Sequence, residues 1–438
     1  MRLSTLGLLV GFGFTLPFIA TFAGCSLDSS GFGAPYPLDP GAGGSTSSTT
    51  GVGGTIGVGG AGGQAAGSGG AGGQAAGSGG AGGQAAGSGG AGGGDGGMDA
   101  GCVGDEEICA PWWDTAWTRR RRILVDLANM TALNDFPVLV RLNSGRIDYA
   151  ATLPGGGDVR FVSADGSAVL SHEIEAWDAS ATSSIWVRLP VIMPAASDGP
   201  TMLWMYYGNS GAAAPAPSEN TWDSGFKSVH HFHADTNDST GADNDGASQQ
   251  PPSAGPGIVA DARVFDGMND HLLLPDEADY DFTTAVSVSA WIRVQSFTKD
   301  WQAVVAKGDD SWRLHREGGT NSPGFGTSNA QNQNDNFGSL VNVNDSQWHY
   351  VAGVYDGQTK KVFVDGTIAS KQLAITIQSS NYQVCIGENN QATGRHFHGS
   401  IDEVRISSVV RSDAWMLAEH RTVTDNSTLT FGLDQTVP

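Results

Sequence analysis

Glu173 and Glu175 are the first side chains in this sequence whose types and spacing could do chemistry. They stand two residues apart in a segment with strand character, so their carboxylates share one face of the strand. Retaining glycoside hydrolysis uses two carboxyl groups about 5 Å apart, and a same-face pair can meet that separation. The sequence shows no cleft beside them, so catalysis by this pair is the disfavoured interpretation.

Histidines form two further pairs, His231 with His233 and His396 with His398, and each pair shares a strand face in the same way. The segments that carry them come first and last in the second predicted domain, where such strands often pair. The four imidazoles could therefore meet, and they would suit Zn²⁺. Ordinary surface or edge histidines are the favoured alternative.

The cysteines do not form a metal-binding set. Cys102 and Cys109 are close neighbours, and they could close a small disulfide loop in an oxidising compartment. Cys385 lies in an apolar strand, where we expect a cysteine to be a buried small hydrophobic side chain.

The chain has 438 residues, a formal net charge of −22 and a pI of about 4.6. Nucleic acid and anionic membrane surfaces repel an acidic chain, so neither is expected as a partner. The basic run Arg119–Arg122 is interpreted as the exposed start of a strand. The 64 glycines crowd the first hundred residues, so a hydrophobic core is expected only after about Cys109.

The first 24 residues have the features of a secretion signal, because Arg2 precedes an apolar stretch too short and glycine-rich for a membrane span. The segment Phe22-Ala23-Gly24-Cys25 resembles the lipobox of bacterial lipoproteins, although Phe22 replaces the usual leucine. The resemblance implies cleavage before Cys25 and lipidation of its thiol, hence a lipid-anchored protein of the cell envelope. Ser26 gives no aspartate retention signal, which favours the outer membrane and cell surface. An ordinary signal peptide is the alternative.

Residues 25–110 are of low complexity, and a ten-residue unit that begins at Ala61 recurs at 71–80 and 81–90. A segment this poor in apolar side chains cannot offset the entropy of ordering it, so we predict a disordered, flexible linker. A glycine-rich fibrous segment is the alternative.

Residues 111–224 are predicted to be a first antiparallel β-sandwich. In 136–142 and 185–189 the apolar residues recur at every second position, which is typical of half-buried antiparallel strands. No helical period interrupts the segment, so βαβ units are not expected. Strands are predicted at 121–127, 136–142, 159–163, 172–177, 184–189 and 202–207.

Residues 225–438 are predicted to be a second, larger sandwich of the jelly-roll type. Its strands are expected at 227–233, 258–265, 271–274, 286–294, 301–307, 312–316, 349–355, 361–364, 383–386 and 399–406. Asp356-Gly357 and Asp365-Gly366 indicate two hairpins, and one helix is predicted over 412–420 with Ser412 as its N-cap. The predicted fold class is therefore all-β, with two antiparallel β-sandwich domains after a disordered glycine-rich linker.

Several motifs between Trp112 and Trp222 resemble DUF2341, a bacterial domain of unknown function. The motifs are Trp113-Asp-Thr-Ala-Trp117, Phe136-Pro-Val-Leu-Val140, Asp158-Val-Arg-Phe161, Glu173-Ile-Glu175, Ile185-Trp-Val187 and Leu203-Trp-Met-Tyr-Tyr-Gly208. The family commonly sits beside lectin-like sandwiches, and the resemblance implies no chemistry for it.

The second domain resembles the laminin-G-like, concanavalin A-like jelly roll over essentially its whole length. The motifs are Phe265-Asp-Gly-Met-Asn-Asp-His271, Val288-Ser-Ala-Trp-Ile292, Trp348-His-Tyr-Val-Ala352, Val362-Phe-Val-Asp-Gly366 and Gly399-Ser-Ile-Asp-Glu-Val-Arg-Ile406. The resemblance implies non-catalytic binding of carbohydrate or glycoprotein, and sometimes a bound Ca²⁺. Related glycosidases carry two glutamates on one face of a strand. The corresponding segment of this chain, around Asp402 and Glu403, contains only one glutamate.

Three aspartates of these motifs, Asp266, Asp270 and Asp402, are expected to hold a structural Ca²⁺ if strand ends bring them together. The alternative is that they cap turns. The segment 318–339 is rich in Gly, Asn, Gln and Ser and is long for a hairpin loop. Its amides suit sugar hydroxyls, and Trp312 and Phe325 are the candidate stacking residues of this predicted binding rim.

Together these features predict a surface-anchored lipoprotein with a non-catalytic carbohydrate- or glycoprotein-binding domain. Its contact with the membrane is expected through the N-terminal lipid only. The first alternative function is that of a structural or adhesive envelope protein that binds other proteins. A glycoside hydrolase of the concanavalin A-like fold is the second alternative. It is disfavoured because the sequence lacks both the paired glutamates and a nucleophile–base pair.

Overall fold

The computed structural model describes residues 110–127, 131–194, 199–331 and 333–438. These residues form antiparallel sheets with one α-helix, which confirms the predicted all-β class. Cys25, Cys102 and Cys109 lie outside the described residues, as does most of the predicted linker. In the part of the chain that is described, no helix has the length and apolar character to cross a bilayer.

The first domain is a sandwich of a three-stranded sheet, in the order β2-β6-β5, and a five-stranded sheet, in the order β22-β1-β7-β3-β4. Alternating residues of β1, β2 and β6 bury Ile123, Val138 and Val187 between the sheets. Up to the start of the second domain the strands are β1 (Arg119–Val125), β2 (Leu133–Leu142), β3 (Arg160–Ser163), β4 (Val169–Leu170), β5 (His172–Ala176), β6 (Ser183–Ile192) and β7 (Thr201–Tyr207).

The second domain packs an eight-stranded sheet on a six-stranded one. The larger sheet runs β19-β18-β17-β12-β21-β10-β9, with β8 also paired to β21, and the smaller runs β11-β20-β13-β14-β15-β16. The strands are β8 (Phe226–His230), β9 (Ser253–Pro256), β10 (Asp261–Asp266), β11 (Leu272–Leu273), β12 (Val286–Val294), β13 (Ala303–Ala306), β14 (Trp312–Arg316), β15 (Pro323–Ser328), β16 (Asn334–Gly338), β17 (Trp348–Tyr355), β18 (Thr359–Val364), β19 (Thr367–Gln372), β20 (Cys385–Ile386) and β21 (His398–Ser407).

Local signals in the sequence are confirmed at several points. Asp365 and Gly366 both adopt positive φ, 48° and 86°, between β18 and β19, as a type I′ hairpin turn requires. The helix α1 (Asp413–Thr424) begins after Ser412, whose side chain accepts a hydrogen bond from the Trp415 amide. Cys385 is buried with a free thiol, as predicted.

The chain returns to its first domain at the end. The last strand, β22 (Leu429–Thr436), pairs antiparallel with β1, so that Ile123 lies opposite Phe431. One hydrophobic cluster accordingly contains Trp186 of the first domain together with Trp291 and Trp415 of the second. The two domains therefore share part of their hydrophobic core. The domain boundary predicted at residue 224 stays a prediction.

Acid is expected to destabilise this fold through His315 on β14. The side chain is fully buried, its Nδ1 lies 2.6 Å from the Arg316 carbonyl oxygen, and burial lowers its pKa to about 3. An unfolded histidine titrates near 6.5, so stability is full above that pH and falls as the pH drops toward 3. At pH 5 the loss from this group is about 2 kcal/mol.

A His315→Asn variant tests this expectation by urea denaturation at pH 7.5 and pH 5. Because asparagine does not titrate, the difference in unfolding free energy between the two pH values should shrink by about 2 kcal/mol relative to wild type. An exchange of His271, which is only partly buried, for asparagine serves as the control. Equal pH dependence of wild type and His315→Asn would contradict a buried neutral imidazole.

Candidate functional site

A cluster of charged side chains lies where the two domains meet. It consists of Glu173 and Glu175 on β5, His231 just after β8, and Glu403 and Arg405 on β21. Strand β5 places its two glutamates on one face, as the sequence predicts. The pairing of His230 with Val404 brings His231 beside Glu403. Two domains and three strands therefore converge on one imidazole.

The distances within this seam cluster are short. His231 Nδ1 lies 2.7 Å from Glu403 Oε1 and 3.7 Å from Glu175 Oε2, and its Nε2 lies 3.6 Å from Glu173 Oε2. Arg405 Nη2 donates to Glu403 Oε2 at 2.8 Å. The side chains of Glu175, His231 and Glu403 are 1%, 6% and 1% exposed, so water screens these charges little.

Two tryptophans of the first domain hold the cluster in place. The Trp186 indole donates to Glu175 Oε2 at 2.8 Å, and the Trp222 indole donates to Glu173 Oε2 at 2.6 Å. The Arg405 guanidinium lies over both rings, 4.3 and 5.1 Å from their centroids. Rings, guanidinium and carboxylates thus fix one another through hydrogen bonds and cation–π contacts.

Strand β21 is distorted at this point. Glu403 has a φ of 51°, in the left-handed region, and the register with β12 shifts between Ser289 and Trp291. The result is a β-bulge that re-aims the Glu403 side chain toward the seam. Strained backbone of this kind is found at sites where a side chain must point in an unusual direction.

Proton affinities in the cluster are strongly perturbed. Burial and the neighbouring Glu403 carboxylate raise the pKa of Glu175 well above its usual range. Burial alone would lower the pKa of His231, but the Glu403 and Glu173 carboxylates raise it well above its ordinary value. Burial opposes ionisation of Glu403, yet His231 and Arg405 hold its pKa below the usual range. The cluster therefore attracts positive charge.

A pocket of about 510 Å³ opens beside this cluster. The segments 173–175 and 231–232 form part of its wall, and the rest comes from the turn at 218–219 and the loop at 233–243. Carboxylates, amides and hydroxyls make up most of this lining, and it includes no Trp or Tyr. The lining residues are Glu173, Ile174, Glu175, Ser218, Glu219, His231, Phe232, His233, Ala234, Asp235, Asn237, Asp238, Ser239, Thr240, Gly241 and Asp243.

The predicted stacking residues Trp312 and Phe325 are not at a binding surface, and this prediction is corrected. Both side chains are fully buried in the core of the second domain. Trp312 donates to the Tyr280 carbonyl at 3.0 Å, and the Phe325 ring fills the space above Gly353, where a Cβ would lie 2.2 Å from it. The predicted loop 318–339 contains β15 and β16, whose hairpin turns Phe325 inward.

The three predicted calcium ligands do not come together, so this ligand set is corrected as well. Asp266 pairs with His398 on β21, and Asp402 lies four residues farther along, which is about 13 Å at 3.3 Å per residue. Asp266 accepts hydrogen bonds from the amides that follow it, Asp270 accepts from the Asp266 amide, and buried Asp402 accepts from the amides of Ile258 and Val259. The aspartates cap turns, which is the alternative interpretation of these residues, and structural calcium binding by the protein stays a prediction.

The two histidine pairs do not meet either. His231 belongs to the seam cluster, and His233 lies 3.1 Å from Asp261. His396 lies 2.7 Å from Glu388, and His398 Nδ1 lies 2.8 Å from the Ser296 hydroxyl. Strands β8 and β21 do pair, as predicted, but the register aligns His230 with Val404 and leaves His398 at the far end.

Two family matches agree with the predicted domain order. Residues 155–244 match the domain of unknown function DUF2341, and residues 265–416 match the concanavalin A-like lectin/glucanases superfamily. The chain therefore carries a DUF2341 domain followed by a concanavalin A-like domain. All residues that line the pocket fall within 155–244. No curated protein matches the chain.

Solved structures with a similar fold include the binding domain of Paraclostridial Mosquitocidal Protein 1, with 11% identity, a TM-score of 0.40, and coverage of 46% of this chain and 53% of that one. Domain 4 of AbnA, a GH43 extracellular arabinanase from Geobacillus stearothermophilus in complex with arabinotriose, has 20% identity, a TM-score of 0.38, and coverage of 44% and 96%. The binding domain of Botulinum Neurotoxin DC in complex with SialylT has 10% identity, a TM-score of 0.35, and coverage of 46% and 52%. The chain spans about half the length of the two toxin domains.

Proposed function

We propose that this chain, in which a DUF2341 domain precedes a concanavalin A-like domain, is a non-catalytic binding protein that recognises carbohydrate through the pocket at the domain seam. The observation that carries the proposal is the pocket of about 510 Å³, which lies within the roughly 300–1,000 Å³ of small-ligand sites. Its exposed lining offers acceptors from two segments, with Glu219 in the turn at 218–219 and Asp235, Asn237 and Asp243 in the loop at 233–243.

The chemistry of the lining selects the class of saccharide. Carboxylates accept hydrogen bonds from hydroxyl groups and repel other anions, so neutral or amino-bearing sugars fit and sialylated or uronic sugars do not. With no Trp or Tyr in the lining, recognition would depend on hydrogen bonds rather than on ring stacking. The partly buried Glu173, whose oxygens accept from Trp222 and Ser239, holds the wall in position.

Hydrolysis is not part of this proposal. Glu403, the glutamate of the strand that carries catalysis in related glycosidases, is 1% exposed and accepts from His231 and Arg405. Asp402 is fully buried and caps the turn at 258–259. Neither side chain can reach a sugar in the pocket. We also propose that the Phe22-Ala23-Gly24-Cys25 motif anchors the protein by lipid to the cell envelope, which would present the pocket at the cell surface.

A glycan array with full-length protein tests the binding proposal. We expect signal on neutral or amino-bearing glycans, and titration of the strongest ligand should give an affinity about 10–100-fold lower for Glu219→Ala, since a hydrogen bond to a charged group contributes about 1.5–3 kcal/mol. Asn237→Ala should lower the affinity about fivefold, as a neutral hydrogen bond contributes about 1 kcal/mol.

Asp300→Ala is the matched control, because that carboxylate is 70% exposed and lies outside the pocket. A ligand that binds all three variants as well as wild type would place carbohydrate recognition elsewhere. An array without signal, combined with capture of unglycosylated envelope proteins, would favour the adhesive alternative.

A further inference from the structure

The seam cluster also has the geometry of a metal site. Within the described part of the chain, Glu175, His231 and Glu403 are the group of metal-ligating side chains whose donor atoms all lie within 4.8 Å of one another. We propose that these three residues bind one divalent transition-metal ion, with Zn²⁺ as the probe. The proposal concerns the ion alone and does not depend on carbohydrate binding.

The spacing of the donor atoms suits such an ion. Zinc with N and O ligands at about 2.0–2.1 Å has neighbouring ligand atoms about 3.3 Å apart. The observed separations from His231 Nδ1 are 2.7 Å to Glu403 Oε1 and 3.7 Å to Glu175 Oε2, which bracket that value. Side-chain shifts of a few tenths of an ångström would seat the ion.

A buried polar atom without a partner points to the same place. Glu175 Oε1 has no hydrogen-bond partner although the side chain is only 1% exposed. A buried carboxyl oxygen without a hydrogen-bond partner is costly, and a cation between Glu175 and Glu403 would take the place of both the missing partner and the Glu175 proton. This orphaned oxygen distinguishes the cluster from an ordinary buried ion pair.

The surroundings of the three ligands resemble the outer shell of known metal sites. A metal-bound histidine almost always donates its second ring N–H to a carboxylate, and His231 Nε2 faces Glu173 Oε2 at 3.6 Å. The ligating carboxylates are themselves held, Glu175 by the Trp186 indole and Glu403 by Arg405. Binding of the ion would displace the proton that His231 Nδ1 shares with Glu403 at 2.7 Å, so that the ring coordinates through Nδ1 and keeps its N–H on Nε2, toward Glu173.

The ligand types separate this ion from calcium. Calcium takes six to eight oxygen ligands, whereas an imidazole with two carboxylates suits zinc or a similar first-row ion. Three protein ligands leave one position of a tetrahedral shell. Glu175 and His231 also line the pocket, so that position faces the pocket.

Calorimetric titration of chelator-treated full-length protein with Zn²⁺ tests the proposal. We expect one ion per chain, and Glu175→Gln should weaken binding more than about 100-fold, beyond the 10–100-fold of outer-shell changes. Glu173→Gln should weaken it about 10–100-fold, because the histidine tautomer is no longer fixed. If Glu173 served only to stabilise the fold, the Glu173→Gln variant would bind Zn²⁺ as tightly as wild type.

His396→Gln is the matched control, since His396 lies 2.7 Å from Glu388 in a similar pair and should leave zinc affinity unchanged. Zinc-edge X-ray absorption on wild type provides a readout that needs no variant. We expect nitrogen and oxygen ligands with one imidazole. Sulfur ligands in the X-ray absorption spectrum would show that the ion is bound by cysteine. That result would overturn the proposal, as would a wild-type protein that does not bind Zn²⁺ or a Glu175→Gln variant that binds it as tightly as wild type.

Discussion

Replacing Arg405 by methionine is expected to lower the free energy of unfolding by about 3–5 kcal/mol, the cost of leaving buried charges without their partner. Arg405 Nη2 donates to Glu403 at 2.8 Å and its Nη1 lies 3.5 Å from Glu419, and the guanidinium lies over Trp186 and Trp222. When Arg405 is replaced, Glu403 and Glu419 stay buried but lose the guanidinium that neutralises them. Chemical denaturation followed by tryptophan fluorescence measures the loss.

Two comparisons identify the cause of that loss. Lys361→Met removes an ion pair with Asp413 at 2.6 Å whose members are 27% and 45% exposed, and such a pair contributes only about 0–1 kcal/mol. Combining Arg405→Met with Glu403→Gln should recover part of the lost stability, since the orphaned charge is removed. An Arg405 variant no less stable than the Lys361 variant would contradict a charged seam between the domains.

Removal of residues 429–438 is expected to destabilise the first domain by at least about 3 kcal/mol. The truncation takes away strand β22, the burial of Leu429, and Asp434, which accepts hydrogen bonds from Tyr207 at 2.6 Å and Arg119 at 3.0 Å. Burying a leucine contributes about 1.5–3 kcal/mol, and hydrogen bonds to a charged group about as much.

Urea unfolding of the truncated chain, with Leu433→Ser as the control, measures this effect. Leu433 lies on the same strand but is 68% exposed, so its replacement should have little effect. If the truncated chain unfolds at the wild-type urea concentration, then β22 is not part of the first domain's structure.

The fold could be predicted from the sequence where apolar residues alternate. The segments that became β2 and β12 carry this pattern over seven or more residues, and a period of two determines which face is buried. The strands β4, β9, β15, β16, β19 and β22 were not predicted, because most of them are rich in polar residues or glycine. Their strand character depends on pairing with neighbours, which a local pattern does not contain.

The site was only partly predictable for a related reason. The same-face arrangement of Glu173 and Glu175 follows from strand geometry alone, and the sequence identified His231 and Glu403 as separate candidates. Their meeting depends on the packing of β5 of one domain against β8 and β21 of the other. The aromatic residues Trp312 and Phe325 are assigned to a rim because the segment 318–339 is long and rich in polar residues and glycine, yet the facing Gly353 leaves space that the Phe325 ring fills.

Hydrogen–deuterium exchange of the full-length protein, with and without the strongest glycan from the array, tests the central claim that the domain seam is the binding site. We predict that the glycan slows amide exchange in 173–175, 218–221 and 233–243 together, because these segments surround the pocket. Slowed exchange confined to 312–339, with the seam segments unchanged, would contradict the account.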